Sequence, residues 1–154
     1  AGIHAMDIMR MEKKFLHWGH DMSPEENPFE AGLSFAVSFK KKENFIGKES
    51  LLKIKDKQLQ KKLIMFTLQN SEPGSPLVLH DEPIYCNDKI VGRTTSGNYS
   101  FNYKKNMVFG YINLSSLNKD LSENNFSIEI EQKLYKANLQ TKALHDPNNV
   151  MLKK

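Results

Sequence analysis

The feature that most constrains the fold is a close series of short strand candidates in the second half of the chain. Each candidate is a short apolar run bounded by turn-forming residues. The candidates are KLIMFTLQ, PLVLH, PIYC, KIVGRTTS, NMVFGYIN, FSIEIEQ and LYKANLQTK. The segments CNDKI and EQKLY, which join neighbouring candidates, are typical of tight hairpins. About six or seven short strands in succession predict a small antiparallel barrel or sandwich over residues 58–154.

Residues 1–57 have helical patterns instead. The segment IHAMDIMRMEKKFLHW carries apolar residues at three- and four-residue spacing, which predicts a helix that stops at Gly19. The expected apolar face consists of Ala5, Ile8, Met9, Phe15 and Leu16, with Glu12 among them. Asp7 and Arg10 lie three residues apart and are expected to pair. The segment KESLLKIKDKQLQKK predicts a second, mostly exposed helix.

Between the two helices, the segment GLSFAVSF alternates between apolar and small residues. Leu33, Phe35, Val37 and Phe39 fall on one face, which predicts a strand. A single strand leaves its backbone groups unpaired, so we expect its sheet to lie N-terminal to Ala1 or in another chain. The first residue is not Met, which fits a processed product or a piece of a longer protein. The predicted fold is therefore an α+β fragment over residues 1–57, followed by an all-β antiparallel barrel over residues 58–154.

Composition excludes several classes of protein. A formal net charge of +4 and a pI near 9.0 are too mild for a dedicated nucleic-acid binder but suit a small anionic ligand. The lysine runs KKKENF and KDKQLQKK are expected to be solvated surface. The single cysteine, Cys86, rules out an internal disulfide and a multi-cysteine zinc site, and we expect it to be a structural thiol in a reducing compartment. No apolar run approaches the roughly 20 residues that span a bilayer, and no signal peptide is visible.

The segment FLHWGHDM admits three interpretations. His17 and His20, with Asp21, have the residue types of a metal site, but Gly19 is expected to separate the two rings and no third nitrogen or sulfur ligand lies near. It can also be a plain helix end with solvated histidines. In the third interpretation it is the wall of a pocket for a flat ligand, with Trp18 supplying apolar area.

The segment RTTSGNYS is rich in hydroxyl groups around Gly97. It can form a turn whose backbone N–H groups bind an anion, or the polar end of a strand beside a hairpin.

Three segments carry a family resemblance: AMDIMRMEKKFLHWGHDMSPEENPFEAGLSFAV, FIGKESLLKIK and VGRTTSGNYSFNYKKNMVFGYI. Their order and spacing resemble the C-terminal part of the glycine-cleavage T-protein superfamily, and most of all the tetrahydrofolate-binding part of dimethylglycine and sarcosine dehydrogenases. The resemblance implies an aminomethyltransferase fold in which three domains surround a folate channel. This chain would hold the end of the middle region and the whole C-terminal barrel. The family's proton-handling aspartate and the FAD domain would lie outside it.

The resemblance also implies site residues. Phe35 stands where the family has an aromatic ring beside the folate, and Arg10 belongs to the helix motif RMEK near the channel. Trp18 is expected to form part of a wall, and Tyr99, with Ser96 and Gly97, to border the channel mouth. Met6 stands where T-proteins often have an arginine that contacts folate, which favours the dehydrogenase branch. No catalytic residue and no metal ligand is expected in this chain.

The function implied is a share in tetrahydrofolate binding within an FAD-dependent dimethylglycine or sarcosine dehydrogenase. There a one-carbon unit is captured as methylenetetrahydrofolate, and surplus positive charge near the channel mouth would help to capture the glutamate tail. One alternative is a fragment of a T-protein aminomethyltransferase, and another is a non-catalytic barrel that binds protein or RNA. The expected partners are tetrahydrofolate and the missing N-terminal domains or a partner chain, with no nucleic acid and no membrane; homo-oligomerisation stays open. The expected compartment is the cytoplasm, or the mitochondrial matrix in a eukaryote, and the fragment alone is expected to be inactive.

Overall fold

The computed structural model describes residues 2–115 and 117–153. Within these residues the chain forms the helices α1 (Ile3–Glu12) and α2 (Lys48–Ile54) and the strands β1 (Lys61–Leu68), β2 (Pro83–Cys86), β3 (Lys89–Ser100), β4 (Lys105–Asn113), β5 (Phe126–Ile130) and β6 (Lys133–Gln140). Short 3₁₀ turns occur at Ser34–Ala36, Leu121–Glu123 and Met151–Lys153. Neither of these α-helices combines the length and the apolar character that a membrane crossing requires.

The six strands close into a barrel in the order β1-β4-β3-β2-β5-β6, and every neighbouring pair is antiparallel. The predicted barrel is therefore confirmed. Both predicted hairpins are present, with Asn87 and Asp88 at one turn and Glu131 and Gln132 at the other. All four residues have positive φ, between 47° and 64°. Two successive left-handed residues are the mark of a type I′ turn, whose twist matches that of the flanking strands.

One strand candidate is not a strand. The segment PLVLH lies against β3 without forming a strand: Thr94 Oγ1 donates to the carbonyl of Leu79 at 3.1 Å, and just after the segment the N–H of Asp81 donates to the carbonyl of Thr94 at 2.8 Å. Its buried side chain, Val78, lies directly against Gly97. A Cβ atom on Gly97 would lie 2.3 Å from Val78 Cγ1, so this crossing requires a glycine in β3.

The barrel interior is an apolar core to which all six strands contribute. Its buried side chains include Ile64, Phe66, Leu68, Val78, Ile84, Val91, Val108, Ile112, Phe126, Ile128, Ile130 and Ala137. The rings of Phe66 and Phe126 meet edge to face with their centroids 5.2 Å apart. Alternation along β5, where Phe126, Ile128 and Ile130 are buried, is the period-2 pattern of a strand with one face on a core.

A second, smaller core joins α1 to the outside of the barrel. Met11 is fully buried there against Leu63, Met65, Met107 and Phe109. The predicted apolar face of the helix is wrong in part, since Met9 and Phe15 are each 53% exposed. The helix is rotated so that Met11 and Glu12 face the barrel, because polar contacts between α1 and β3 fix its orientation.

Helix α1 ends at Glu12, earlier than the predicted stop at Gly19. Lys14 adopts a left-handed conformation with φ of 60°. Its N–H donates to the carbonyl of Met11 at 2.9 Å, and the N–H of Phe15 donates to the carbonyl of Arg10 at 2.8 Å. This is a Schellman motif with a lysine in the position that glycine usually takes.

Helix α2 is also shorter than predicted and ends at Ile54. The end of the lysine-rich segment belongs to the barrel instead, where Lys61 and Lys62 of β1 pair with Asn113 and Ile112 of β4. Strand pairing therefore overrides the helical pattern over the last residues of this segment.

The predicted strand at residues 33–39 is wrong. The chain turns there, and the N–H groups of Ala36 and Val37 donate to the carbonyls of Leu33 and Ser34. Because these hydrogen bonds are local, the segment needs no partner strand. The argument for an absent sheet rested on an unpaired strand here, so that argument is lost. Phe35 points outward and is 84% exposed.

Candidate functional site

Polar side chains of α1 attach the helix to one face of β3. Asn98 Nδ2 donates to Asp7 Oδ2 at 3.0 Å, and Ser100 Oγ donates to Glu12 Oε1 at 2.6 Å. Arg10 Nη2 donates to Ser96 Oγ at 2.8 Å. Ser96, Asn98 and Ser100 are spaced by two residues, so they share one face of the strand. The hydroxyl-rich segment is therefore not an anion-binding turn. It forms the polar end of β3 beside the hairpin turn to β4, which was the other interpretation, and it binds α1.

Arg10 is at the centre of this contact. Its guanidinium donates to Asp7 at 2.6 Å, to the carbonyl of Phe15 at 3.3 Å and to the carboxylate of Asp21. The predicted pair between Asp7 and Arg10 is confirmed. The guanidinium carbon also lies 5.4 Å from the centre of the Phe109 ring, a cation–π distance. Because most of its donors are engaged within the chain, Arg10 holds α1 in place and has little left to offer a ligand.

The carboxylate of Asp21 is fully buried and fully hydrogen-bonded. Besides Arg10, it accepts from Thr95 Oγ1 at 2.6 Å and from the backbone N–H of His17 at 2.9 Å. The hydroxyl of Tyr111 donates to the backbone carbonyl of Asp21 at 3.0 Å. Burial and the nearby carboxylates of Glu26, Asp21 and Glu30 raise the pKa of Tyr111 far above its ordinary value, so this hydroxyl stays protonated.

Glu12 is the second buried carboxylate of the site. It accepts from Ser100 Oγ and from Asn102 Nδ2, the latter at 3.0 Å to Oε2. Its backbone carbonyl accepts from the N–H of His145, which brings the C-terminal segment onto α1. Among the described residues, no buried side-chain nitrogen or oxygen is left without a hydrogen-bond partner. The hydrogen bonds of these two carboxylates are therefore satisfied within the chain.

Beside this polar cluster lies a cleft of about 500 Å³, the α1 cleft. Its apolar wall comes from Ile3, Met6, Leu16, Val78 and Leu79, and its polar wall from His4, Asp7, Arg10, His17, His20, His80, Thr95 and Ser96. The rings of His17 and His20 lie 4.6 Å apart. A cleft of this size, with an apolar wall facing convergent polar groups, has the character of a small-molecule site.

A larger groove of about 1230 Å³ runs between the N-terminal segment and the outside of β1 and β6; we name it the lysine groove. Phe35 lies on its lining, and Leu16 lines both the groove and the α1 cleft.

The four predicted cofactor-binding residues do not meet in one cavity. Arg10 lines the α1 cleft and Phe35 lines the lysine groove. Trp18 lies outside the linings of both and is 62% exposed, and Tyr99 packs edge to face against Phe101 at 5.2 Å. Their contact with a cofactor stays a prediction.

Metal binding has no support in the part of the chain that the structure describes, where no group of three His, Cys, Asp or Glu residues has the geometry to hold an ion. Cys86 is buried in β2, as expected of a structural thiol. Burial raises the pKa of its thiol, although a backbone hydrogen bond from Asn125 acts in the opposite direction.

Thr95 and Asn98 are site residues that the sequence did not reveal individually. The signal that could have found Asn98 is the run of polar residues at every second position from Ser96 to Ser100; Thr95 falls outside this spacing and has no such signal. Such a face is too polar for the barrel core and has to bind another polar element.

Comparison with known proteins agrees with this geometry. The model of the glycine cleavage T-protein C-terminal barrel domain matches residues 61–146, and that of the GCVT N-terminal domain matches residues 1–41. The chain belongs to the glycine cleavage T-protein family. A solved member, the glycine cleavage system aminomethyltransferase T from Bartonella henselae, superposes with a TM-score of 0.79 at 19% identity. It covers 93% of this chain, and the chain covers 38% of it, so the barrel fold is shared.

Curated relatives fall on both branches of this T-protein family. The chain is 33% identical over 154 residues to 4-methylaminobutanoate oxidase (formaldehyde-forming) of Paenarthrobacter nicotinovorans. It is 38% identical over 130 residues to human mitochondrial dimethylglycine dehydrogenase, and 42% identical over 106 residues to the aminomethyltransferase of Listeria welshimeri. These alignments cover 99%, 84% and 69% of this chain, but only 18%, 14% and 28% of the relatives' own lengths.

Proposed function

We propose that this chain forms one wall of the tetrahydrofolate site of a dimethylglycine or sarcosine dehydrogenase-like enzyme. The observation that carries the proposal is the α1 cleft, which lies on a segment matched by the family's N-terminal model beside the matched barrel. Identity of 38% to human dimethylglycine dehydrogenase over 84% of the chain supports the dehydrogenase branch. The folate and the FAD of such an enzyme would be held in part by residues outside this sequence.

The residues of the α1 cleft fit a folate in their chemistry. Met6, Val78 and Leu79 offer apolar surface for a flat ring, and His17 and His20 offer ring nitrogens for polar substituents. Tetrahydrofolate, when bound, supplies the nucleophilic nitrogen that accepts the one-carbon unit. The residues of this chain would hold the ring, exclude bulk water and keep the wall rigid through the ion pair of Arg10 with Asp21.

The test is a chimera of human dimethylglycine dehydrogenase in which this chain replaces the segment it matches. During dimethylglycine oxidation, added tetrahydrofolate should lower the release of free formaldehyde. Leu79→Glu, which places a charge on the cleft wall, should abolish that effect while oxidation of the amine continues.

Leu134→Glu is the matched control, since Leu134 is similarly exposed, at 61% against 56% for Leu79, and lines neither cavity. It should behave as the parent chimera does. An active chimera that releases the same formaldehyde with and without tetrahydrofolate would contradict the proposal, and so would an unchanged response of the Leu79→Glu chimera.

A second candidate function is aminomethyl transfer, favoured by the 42% identity to the Listeria aminomethyltransferase. Met6, on the α1 cleft, discriminates between the two, since T-proteins often have arginine there. In a chimera with the Listeria enzyme, we expect this chain to be inactive until Met6→Arg is introduced. Full activity with Met6 in place would favour the transferase.

A further inference from the structure

The lysine groove holds an unusual share of the chain's positive charge. Seven lysines line it, and Asp120 is the one acidic residue among the described lining residues. The lysines are Lys13, Lys14, Lys55, Lys57, Lys62, Lys119 and Lys142. The groove therefore carries a formal charge of +6, whereas the whole chain carries +4. Every other residue taken together amounts to −2, so the basic character of this protein belongs to one surface feature.

Within the structure as described, most of these ammonium groups have no acidic partner. Of the seven, Lys13 forms an ion pair, with Asp146 at 3.3 Å. Lys14 Nζ donates to the carbonyl of Thr141 at 3.1 Å, which leaves its charge uncompensated. Lysines without an acidic partner are usually spread over a protein surface, where the repulsion between their charges is small. Here they surround one concave space.

Lys14 and Lys62 are close enough to repel one another. Burial lowers the pKa of Lys14, and the charge of Lys62 lowers it further. Lys14 is also held in position by its left-handed backbone and by the Schellman motif that ends α1. An anionic group placed between the two ammonium groups would remove their repulsion. Because Lys14 is already ordered, little conformational entropy would be lost there on binding.

The floor of the groove is apolar. We use the term floor for the apolar residues of the lining, of which Leu16, Met22, Phe29, Leu33 and Leu139 are partly exposed and Ala31, Leu63 and Ile64 are buried. A small polyanion would satisfy the lysines but leave this floor in contact with water. At about 1230 Å³ the groove also exceeds the roughly 300–1,000 Å³ typical of small-molecule pockets. An occupant that matches both features has apolar side chains on one face and carboxylates along its edges.

We propose that the lysine groove is the docking site of an acidic amphipathic polypeptide segment, which places its apolar face on the floor and its carboxylates against the lysine rim. This is the geometry in which an amphipathic helix binds a hydrophobic groove, with charge at the rim setting the choice of partner. The proposal concerns a different cavity from the α1 cleft, although Phe35, which the family resemblance places beside folate, lies on the lining of the lysine groove. It rests on the charge and the apolar lining of the groove, and displacement of the peptide by an oligo-γ-glutamate distinguishes it from a site for a folate tail.

A fluorescein-labelled synthetic peptide of Leu and Glu, with the leucines at helical spacing, is the probe. Fluorescence anisotropy with the 154-residue chain should show saturable binding that weakens as salt is raised. A scrambled peptide of the same composition, and a peptide with Lys in place of Glu, should bind at least about tenfold more weakly.

The Lys14→Gln/Lys62→Gln variant should bind the peptide about tenfold more weakly, a loss of about 1.4 kcal/mol. Lys89→Gln/Lys133→Gln is the matched control, because it removes the same charge from two exposed hairpin lysines outside the groove. Thermal unfolding of both variants verifies that they are folded.

Three results would overturn the proposal. Equal weakening in the two double variants would mean that only net charge matters. Equal binding of the scrambled peptide would mean that the apolar floor plays no part. Full displacement of the peptide by inorganic phosphate or by an oligo-γ-glutamate at similar concentration would mean that the groove is a site for small anions.

Discussion

The guanidinium of Arg10 donates to the fully buried carboxylate of Asp21, and this pair joins helix α1 to the loop that follows it. The same carboxylate accepts from Thr95 of β3, so one buried charge connects three parts of the chain. Removing one partner of such a pair leaves the other charge buried without compensation.

The first prediction concerns this pair. Asp21→Asn should lower the free energy of unfolding by about 3 kcal/mol, because Arg10 would lose its buried counter-charge. Urea denaturation measures the change. Asp81→Asn is the control, since Asp81 pairs with Arg93 at an exposed site and should lose less than about 1 kcal/mol. Equal losses in the two variants would show that the buried ion pair contributes no more to the free energy of unfolding than the exposed one does.

The second prediction concerns the crossing of Val78 over Gly97. Gly97→Ala should lower the free energy of unfolding by about 1–3 kcal/mol, because the added Cβ would lie 2.3 Å from Val78 Cγ1 and the extended segment would have to shift. Gly2→Ala, where a Cβ meets nothing within 4 Å, should lose less, since only the preference for Gly over Ala at the N-cap of α1 is affected. A Gly97→Ala protein as stable as the parent would mean that the segment at Val78 moves freely.

The third prediction concerns pH and the C-terminal segment. Burial raises the pKa of Asp146, but hydrogen bonds from the N–H groups of Val150 and Met151 and from Lys13 outweigh it, and the pKa lies below its ordinary value of 3.8. A depressed carboxylate pKa contributes stability above the unfolded-state value, and this contribution is lost as the pH falls through the folded-state value.

Asp146→Asn should therefore be less stable than the parent at pH 7, and the difference should be lost as the pH falls through the lowered pKa of Asp146. Hydrogen exchange of residues 141–149 across this pH range measures it. Asp88→Asn, at the exposed β2–β3 turn, should lack this pH-dependent difference. A difference for Asp146→Asn that persists in acid would assign the effect to packing.

The fourth prediction concerns Phe35. In the dimethylglycine dehydrogenase chimera, Phe35→Ala should raise the tetrahydrofolate concentration needed to suppress formaldehyde release several-fold, while amine oxidation stays unchanged. The ring is 84% exposed, so its removal should leave the melting temperature unchanged. Ile46→Ala, at a fully exposed residue outside both cavities, is the control. Equal folate dependence for the parent chimera and Phe35→Ala would remove Phe35 from the site.

The fifth prediction concerns Cys86. Since its thiol is buried and its pKa is raised, it should react slowly with a disulfide reagent in the native protein. Labelling should become fast once denaturant unfolds the barrel. Rapid labelling of the native chain would mean that β2 opens readily.

The barrel was predictable because its strands have local signals that agree with the tertiary structure. Apolar runs such as the one ending at Leu68 are long enough to identify, and the β2–β3 turn has the residues that a left-handed pair requires. Residues 33–39 carry an equally regular alternation, yet they form a turn. Alternation indicates a strand only when one face is buried, and burial of Phe35 is a property that a local pattern cannot reveal.

The candidate site was harder to predict than the fold. Arg10 was identified as a site residue, but its hydrogen bonds to Asp21 and Ser96 join positions far apart in sequence. Which polar residues of α1 and β3 come into contact depends on how α1 is rotated about its axis on the barrel. The same side-chain contacts set that rotation, so the sequence pattern of the helix does not reveal it. The lysine groove was missed for a related reason, because its lysines come from five separate segments and the sequence shows them only as ordinary charged surface.

Closure of the barrel has a consequence for how this protein meets its neighbours. Every strand, including β1 and β6, has a partner strand on both sides over at least part of its length, so the described barrel leaves no whole strand edge open to a foreign strand. A binding partner would therefore recognise this barrel mainly through its side chains and loops. The same property lowers the tendency of the barrel to pair edge to edge with other molecules.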